Sequence, residues 1–105
     1  MGLLPLFLVG LIFIVAAEIT LNFPPKKINP TYGYRTSRSM KNQENWDKAQ
    51  HYSSKLMLKQ GVGMLAIGGL LIAIPLSDEL SAIISVALLL ISVIVLFVLT
   101  EKQLK

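Results

Sequence analysis

The sequence predicts an all-α membrane protein: three transmembrane helices, with one long basic loop between the first two. Residues 3–23, 57–76 and 80–100 are apolar runs of about the 20 residues that cross the hydrocarbon of a bilayer. Prolines stand where the first two runs must stop. All ten Lys and Arg residues fall within residues 24–60 or the C-terminal tail, and a three-span topology places both on one side. The chain of 105 residues reads as one membrane domain, 1–105. It is 53% hydrophobic and 15% charged, more apolar surface than a core of this size can hide, so lipid must cover the rest. There is no cysteine, which excludes disulfides, thiolate metal sites and cysteine nucleophiles.

The first span, 3–23, tolerates Pro5 in its opening turn and ends at Pro24-Pro25. No basic residue precedes it and it is long for a signal h-region, so it reads as a retained helix. Met1-Gly2 opens like an acylation signal, but Leu6 stands where that motif needs Ser or Thr. The second span, 57–76, carries Gly61, Gly63, Gly68 and Gly69. Small residues let helices approach closely in lipid, and Gly69 with Ala73 is the expected contact pair. Pro75 ends this span. Ser77 is placed to cap the third helix, with Asp78 and Glu79 at the favourable end of its dipole. In the third span, 80–100, Ser81 and Ser85 form a second small pair.

The spacing of basic residues orients the bundle. Eight lie in residues 24–60 and two in the tail, which predicts the N-terminus outside and the loop and C-terminus inside. Residues 24–41 have no apolar periodicity. From Asn42, a plausible cap, the pattern turns helical, with Trp46, Ala49, Ser53 and Leu56 on one side. The loop and this interfacial helix together occupy 24–56. The helix is expected to lie at the membrane surface or to run on into the second span. Trp46 and Tyr52 suit the headgroup level.

Few polar groups can carry chemistry. Glu18 reads as the one formal charge inside a span, with Lys59 counted among the loop cations. A carboxylate there needs a partner, and Arg35, presented by a turn at Gly33, is the best candidate. The competing reading is a carboxylate reaching water from one turn down, with the loop lysines resting on anionic headgroups. His51 has no second ligand nearby, so no metal or cofactor is expected. No nucleophile–base set or phosphate-binding glycine loop is present, so the chain reads as a non-enzyme, and no nucleic-acid motif accompanies the basic loop.

The order Asn29, Gly33-Tyr34-Arg35-Thr36, Asn42, Glu44, Trp46 resembles the SdpI/YfhL family of bacterial membrane proteins. The family pattern places a polar residue or His about four positions after the Trp. Here that position is Gln50, and His51 is one later. The resemblance implies roles for Asn29, Gly33, Arg35, Thr36, Asn42 and Trp46, and with Glu18, singled out by its place inside a span, they make the candidate functional cluster. It also implies an inner-membrane protein that confers immunity to a hydrophobic peptide toxin and signals to a cytoplasmic regulator. Homo-oligomers fit so short a chain. From the residues alone, a small transporter subunit with Glu18 as titrating group, or a membrane-anchored docking protein, stay open.

Overall fold

The computed structural model describes residues 2–105. Met1, and with it the start of the Met1-Gly2 pair, lies outside them. Three helices follow in order: α1 Leu4–Asn22, α2 Gln43–Ile72 and α3 Asp78–Lys102. All three are long and apolar enough to cross a membrane. Each presents large apolar side chains outward, among them Ile12, Leu70 and Ile94, which are 61–73% exposed. In water such surface would be costly, and in lipid it is solvated.

The caps follow from local chemistry. Asn42 accepts from the Asn45 amide at the start of α2, and Ser77 accepts from the Leu80 amide at the start of α3. The helix beginning at Asn42 does run on into the second span. Nothing between Gln43 and Ile72 breaks the ladder, so α2 is one rod of 30 residues. It ends at Ile72, so residues 73–76, expected within the span, form the turn into α3.

α1 and α2 make the main packing surface, and α3 leans on both more lightly. The small residues at the α1–α2 contact are not the expected ones. A Cβ at Gly61 would lie 2.7 Å from the Gly10 carbonyl oxygen and 2.7 Å from Ile14 Cγ1. Gly68 seats the Phe7 ring. Gly69, by contrast, faces open space, and Ala73 is the exposed C-cap. Ser81 and Ser85 are both buried as anticipated, and the Ser85 hydroxyl donates to the Gly2 and Ser81 carbonyls. Thr20 and Ser54 share a 2.6 Å hydrogen bond across α1 and α2, and the Gln60 amide donates to the Ser92 carbonyl across α2 and α3. Such bonds between helices are each worth about 0.6–2 kcal/mol in a membrane.

The interior is graded. Leu6, Gly10, Gly61 and Met64 fill the end near the N-terminus. At the loop end polar groups join Trp46 and Ala49 in the interior: Ser39, Asn45, Gln50, Ser53, Ser54 and Thr100. Buried polar groups need partners: the loop partners Ser39, Asn45 and Gln50, Thr20 of α1 partners Ser54, the Gln50 carbonyl accepts from Ser53, and the Thr100 hydroxyl has none among the described residues.

Candidate functional site

The loop is ordered by its own side chains. The Asn29 carboxamide oxygen accepts from the Thr31 and Tyr32 amides at 3.0 and 2.7 Å, closing an Asx turn. The Tyr32 hydroxyl donates back to the Phe23 carbonyl. Gly33 then adopts φ +104°, the left-handed region that glycine enters without penalty. The chain turns there onto Gln50 of α2. The Tyr34 amide donates to Gln50 Oε1 at 2.7 Å, and Gln50 Nε2 donates to the Tyr34 carbonyl at 2.8 Å. One buried carboxamide thus satisfies both backbone groups of one loop residue.

Further along, Thr36 and Ser39 cap each other. The Thr36 amide donates to the Ser39 hydroxyl, and the Ser39 amide to the Thr36 hydroxyl. A carboxylate from α3 closes the assembly. Glu101 Oε2 accepts from the Tyr34 hydroxyl and from the Thr36 hydroxyl, both at 3.0 Å. Tyr34 also stacks at a tilt on Phe97, with ring centroids 5.3 Å apart. Burial, and then the hydrogen bond and charge of Glu101, hold the Tyr34 phenol well above its usual range, while the Thr36 contact pulls weakly the other way. Tyr34 is therefore a neutral donor across the physiological range.

The structure distributes the candidate residues unevenly. Asn29 shapes the loop internally, while Gly33, Thr36 and Trp46 hold it against α2 and α3. Trp46 is fully buried, and its indole N–H donates to the Pro25 carbonyl. Asn42 acts as the α2 cap. The expected ion pair between Glu18 and Arg35 does not form. Glu18 is exposed on α1, where its carboxylate accepts from Asn22 one turn on. Arg35 is exposed and donates to the Pro30 carbonyl within the loop. The carboxylate that fastens the loop is Glu101. Its place in the last turn of α3, where the helix dipole disfavours a negative charge, was the available signal. Gln50 also had a signal, since it occupies the position four after Trp46.

Between this cap and the helices lies a cleft of about 440 Å³. Thr20, Gln50, Ser53 and Ser54 give it a polar floor, Ala16, Met57, Leu96 and Phe97 an apolar wall, and Tyr32 and Arg35 a rim. A cation, hydroxyls and greasy side chains thus converge where the loop meets the spans. That arrangement receives an amphiphile better than a soluble polar metabolite. His51 lines a separate cavity of about 370 Å³ with Lys26 and Asp47. Among the described residues no three His, Asp or Glu side chains gather as a metal site.

No solved structure matches the chain. The model of the SdpI/YfhL protein family matches residues 26–100, the loop and both following helices. Uncharacterized protein YfhL of Bacillus subtilis (strain 168) is 42% identical over 96 residues, covering 91% of this chain and 82% of that protein. With its three membrane-spanning helices and its loop folded onto their polar end, the chain belongs to the SdpI/YfhL family.

Proposed function

We propose that this protein confers immunity to a hydrophobic peptide toxin at the bacterial inner membrane, as a binder and not a catalyst. The supporting observation is the cleft under the loop. Its apolar wall of Met57, Leu96 and Phe97 suits a toxin side chain, and its Ser53 and Ser54 hydroxyls suit toxin backbone. Arg35 at the rim suits a carboxylate, which a guanidinium grips in bidentate fashion. In this reading the N-terminus faces outside and the loop lies in the cytoplasm, in reach of a regulator. Glu18 sits exposed and outside the cleft lining, which favours binding over transport driven by its titration.

The test is survival of a toxin-sensitive bacterium that expresses wild type or Arg35→Ala at matched membrane levels. Protection by wild type, reduced at least tenfold in Arg35→Ala, is expected. Equal protection by both would remove Arg35 and the cleft rim from the mechanism. No protection by either would reject immunity to the toxin tested.

A further inference from the structure

A second site lies on α2, facing away from α1, and the toxin reading does not use it. Lys48, Tyr52, Lys55 and Lys59 recur at helical spacing and line one groove of about 380 Å³ beside Gln103 of α3. The three lysines are exposed, and among the described residues none makes an ion pair or hydrogen bond.

Depth sets this groove apart from an ordinary basic surface. Gln60, next to Lys59, bonds the Ser92 carbonyl. Ser92 lies eight residues, about 12 Å, below Thr100, where the apolar run of α3 gives way to Glu101-Lys102. The other neighbour agrees. Gly61 packs on Gly10, which is twelve residues, about 18 Å, from the end of α1 at Asn22. Lys59 is therefore rooted at hydrocarbon depth, not in the loop where its place among the cations of 24–60 had put it. Its stem must run along the helix surface to bring the ammonium toward Lys55 and Tyr52. There its charge joins those of Lys48 and Lys55 along one groove, and three like charges on one groove favour an anion among them. Among the described residues no carboxylate pairs with any of the three.

The geometry points to a bound anionic phospholipid, whose phosphodiester sits among Lys48, Lys55 and Lys59. Its acyl chains lie along the apolar surface below Leu56, which lines the same groove. The Tyr52 ring at headgroup level covers the glycerol region. A free phosphate would satisfy the charges but not the adjoining apolar surface. The site is thus built for a lipid, with selectivity for net negative headgroups.

The test compares spin-labelled phosphatidylglycerol with spin-labelled phosphatidylcholine at the protein in phosphatidylcholine vesicles. Wild type is expected to prefer phosphatidylglycerol. At about fivefold per lysine near the surface, the K48Q/K55Q/K59Q variant should lose on the order of a hundredfold of that preference. A K26Q/K27Q/K41Q control loses the same charge from the loop and should keep most of it. Lys59→Gln alone, the mildest change, should cost several-fold with helical circular dichroism unchanged. Equal losses in the groove and loop variants would reduce the effect to general surface charge and overturn the site. So would the absence of a preference in wild type. Abolition of the preference by millimolar inorganic phosphate would assign the lysines to the free ion and reject the lipid.

Discussion

Gly33→Ala tests the loop clamp most sharply. A Cβ at Gly33 would stand 2.5 Å from Gln50 Oε1 and 2.8 Å from Pro25 Cγ. Neither neighbour can easily yield, because Gln50 is held at both ends of its amide and the Pro25 carbonyl is held by the Trp46 indole N–H. The left-handed backbone adds about 1–2 kcal/mol once a Cβ is present. Displacing Gln50 forfeits two hydrogen bonds of about 0.5–1.5 kcal/mol each. Together these give about 2–5 kcal/mol against the docked loop. The middle of that range raises the open population by roughly 300-fold. The readout is exchange of the Tyr34 amide proton in detergent micelles by NMR, since that proton is the one Gln50 holds. Protection should fall by about two to three orders of magnitude, with a red shift in emission of the single tryptophan, Trp46. In a Gln50→Ala background the same substitution should add only the backbone strain and the Pro25 contact. Tyr34 protection within about threefold of wild type in Gly33→Ala would refute the clamp.

Other perturbations give equally direct outcomes. Glu101→Ala leaves the Tyr34 and Thr36 hydroxyls without their acceptor; at about 1–3 kcal/mol for this half-exposed pair, chymotryptic cleavage after Tyr32 or Tyr34 should accelerate at least several-fold, and less in Glu101→Gln, which keeps an acceptor. Gly61→Leu drives a side chain into the backbone of α1 and should cost more than about 2 kcal/mol in dodecyl sulfate titrations, whereas Gly69→Ala, facing open space, should be neutral or stabilise by up to about 1 kcal/mol; equal effects would move the helix contact elsewhere. The raised phenol of Tyr34 ties stability to high pH. The unfolded chain loses this proton above pH 10.0 while the folded chain keeps it, so stability is full below that value and falls above it. Tyr34→Phe should flatten this part of the denaturation profile, and an unchanged slope would free Tyr34 of the Glu101 contact.

Much of the fold is legible in the residues because lipid simplifies the problem. A run of apolar residues that long has few alternatives to a helix, and the caps at Asn42 and Ser77 are written in local chemistry. Rotation about the helix axis is harder to read. Gly69 and Ala73 have the spacing of a contact pair just as Gly61 and Gly68 lie on one face, and only the docking of α1 decides which glycines it meets. The loop shows the same division. Asn29 and Gly33 declare their turns locally. The partner of the loop could not be read that way. Glu18 sits nearer in sequence to the loop than Glu101 does, yet the helix turns Glu18 outward. Trp46 likewise shows its partner only in three dimensions, where its indole N–H meets the Pro25 carbonyl across the fold.

The distance along the chain between the loop and its fastening has a consequence for biosynthesis. Thr36 and Tyr34 wait for a carboxylate 65 and 67 residues downstream. The first two helices can pair through Gly10 and Gly61 as soon as both have entered the bilayer, but until the third has crossed, the cleft has neither its Phe97 wall nor its Glu101 clasp. A ribosome-bound or truncated chain would therefore insert as a hairpin with an unlatched loop. Protease sensitivity of residues 24–41 during synthesis would time the arrival of the third helix, making the loop a built-in clock for completion of the bundle.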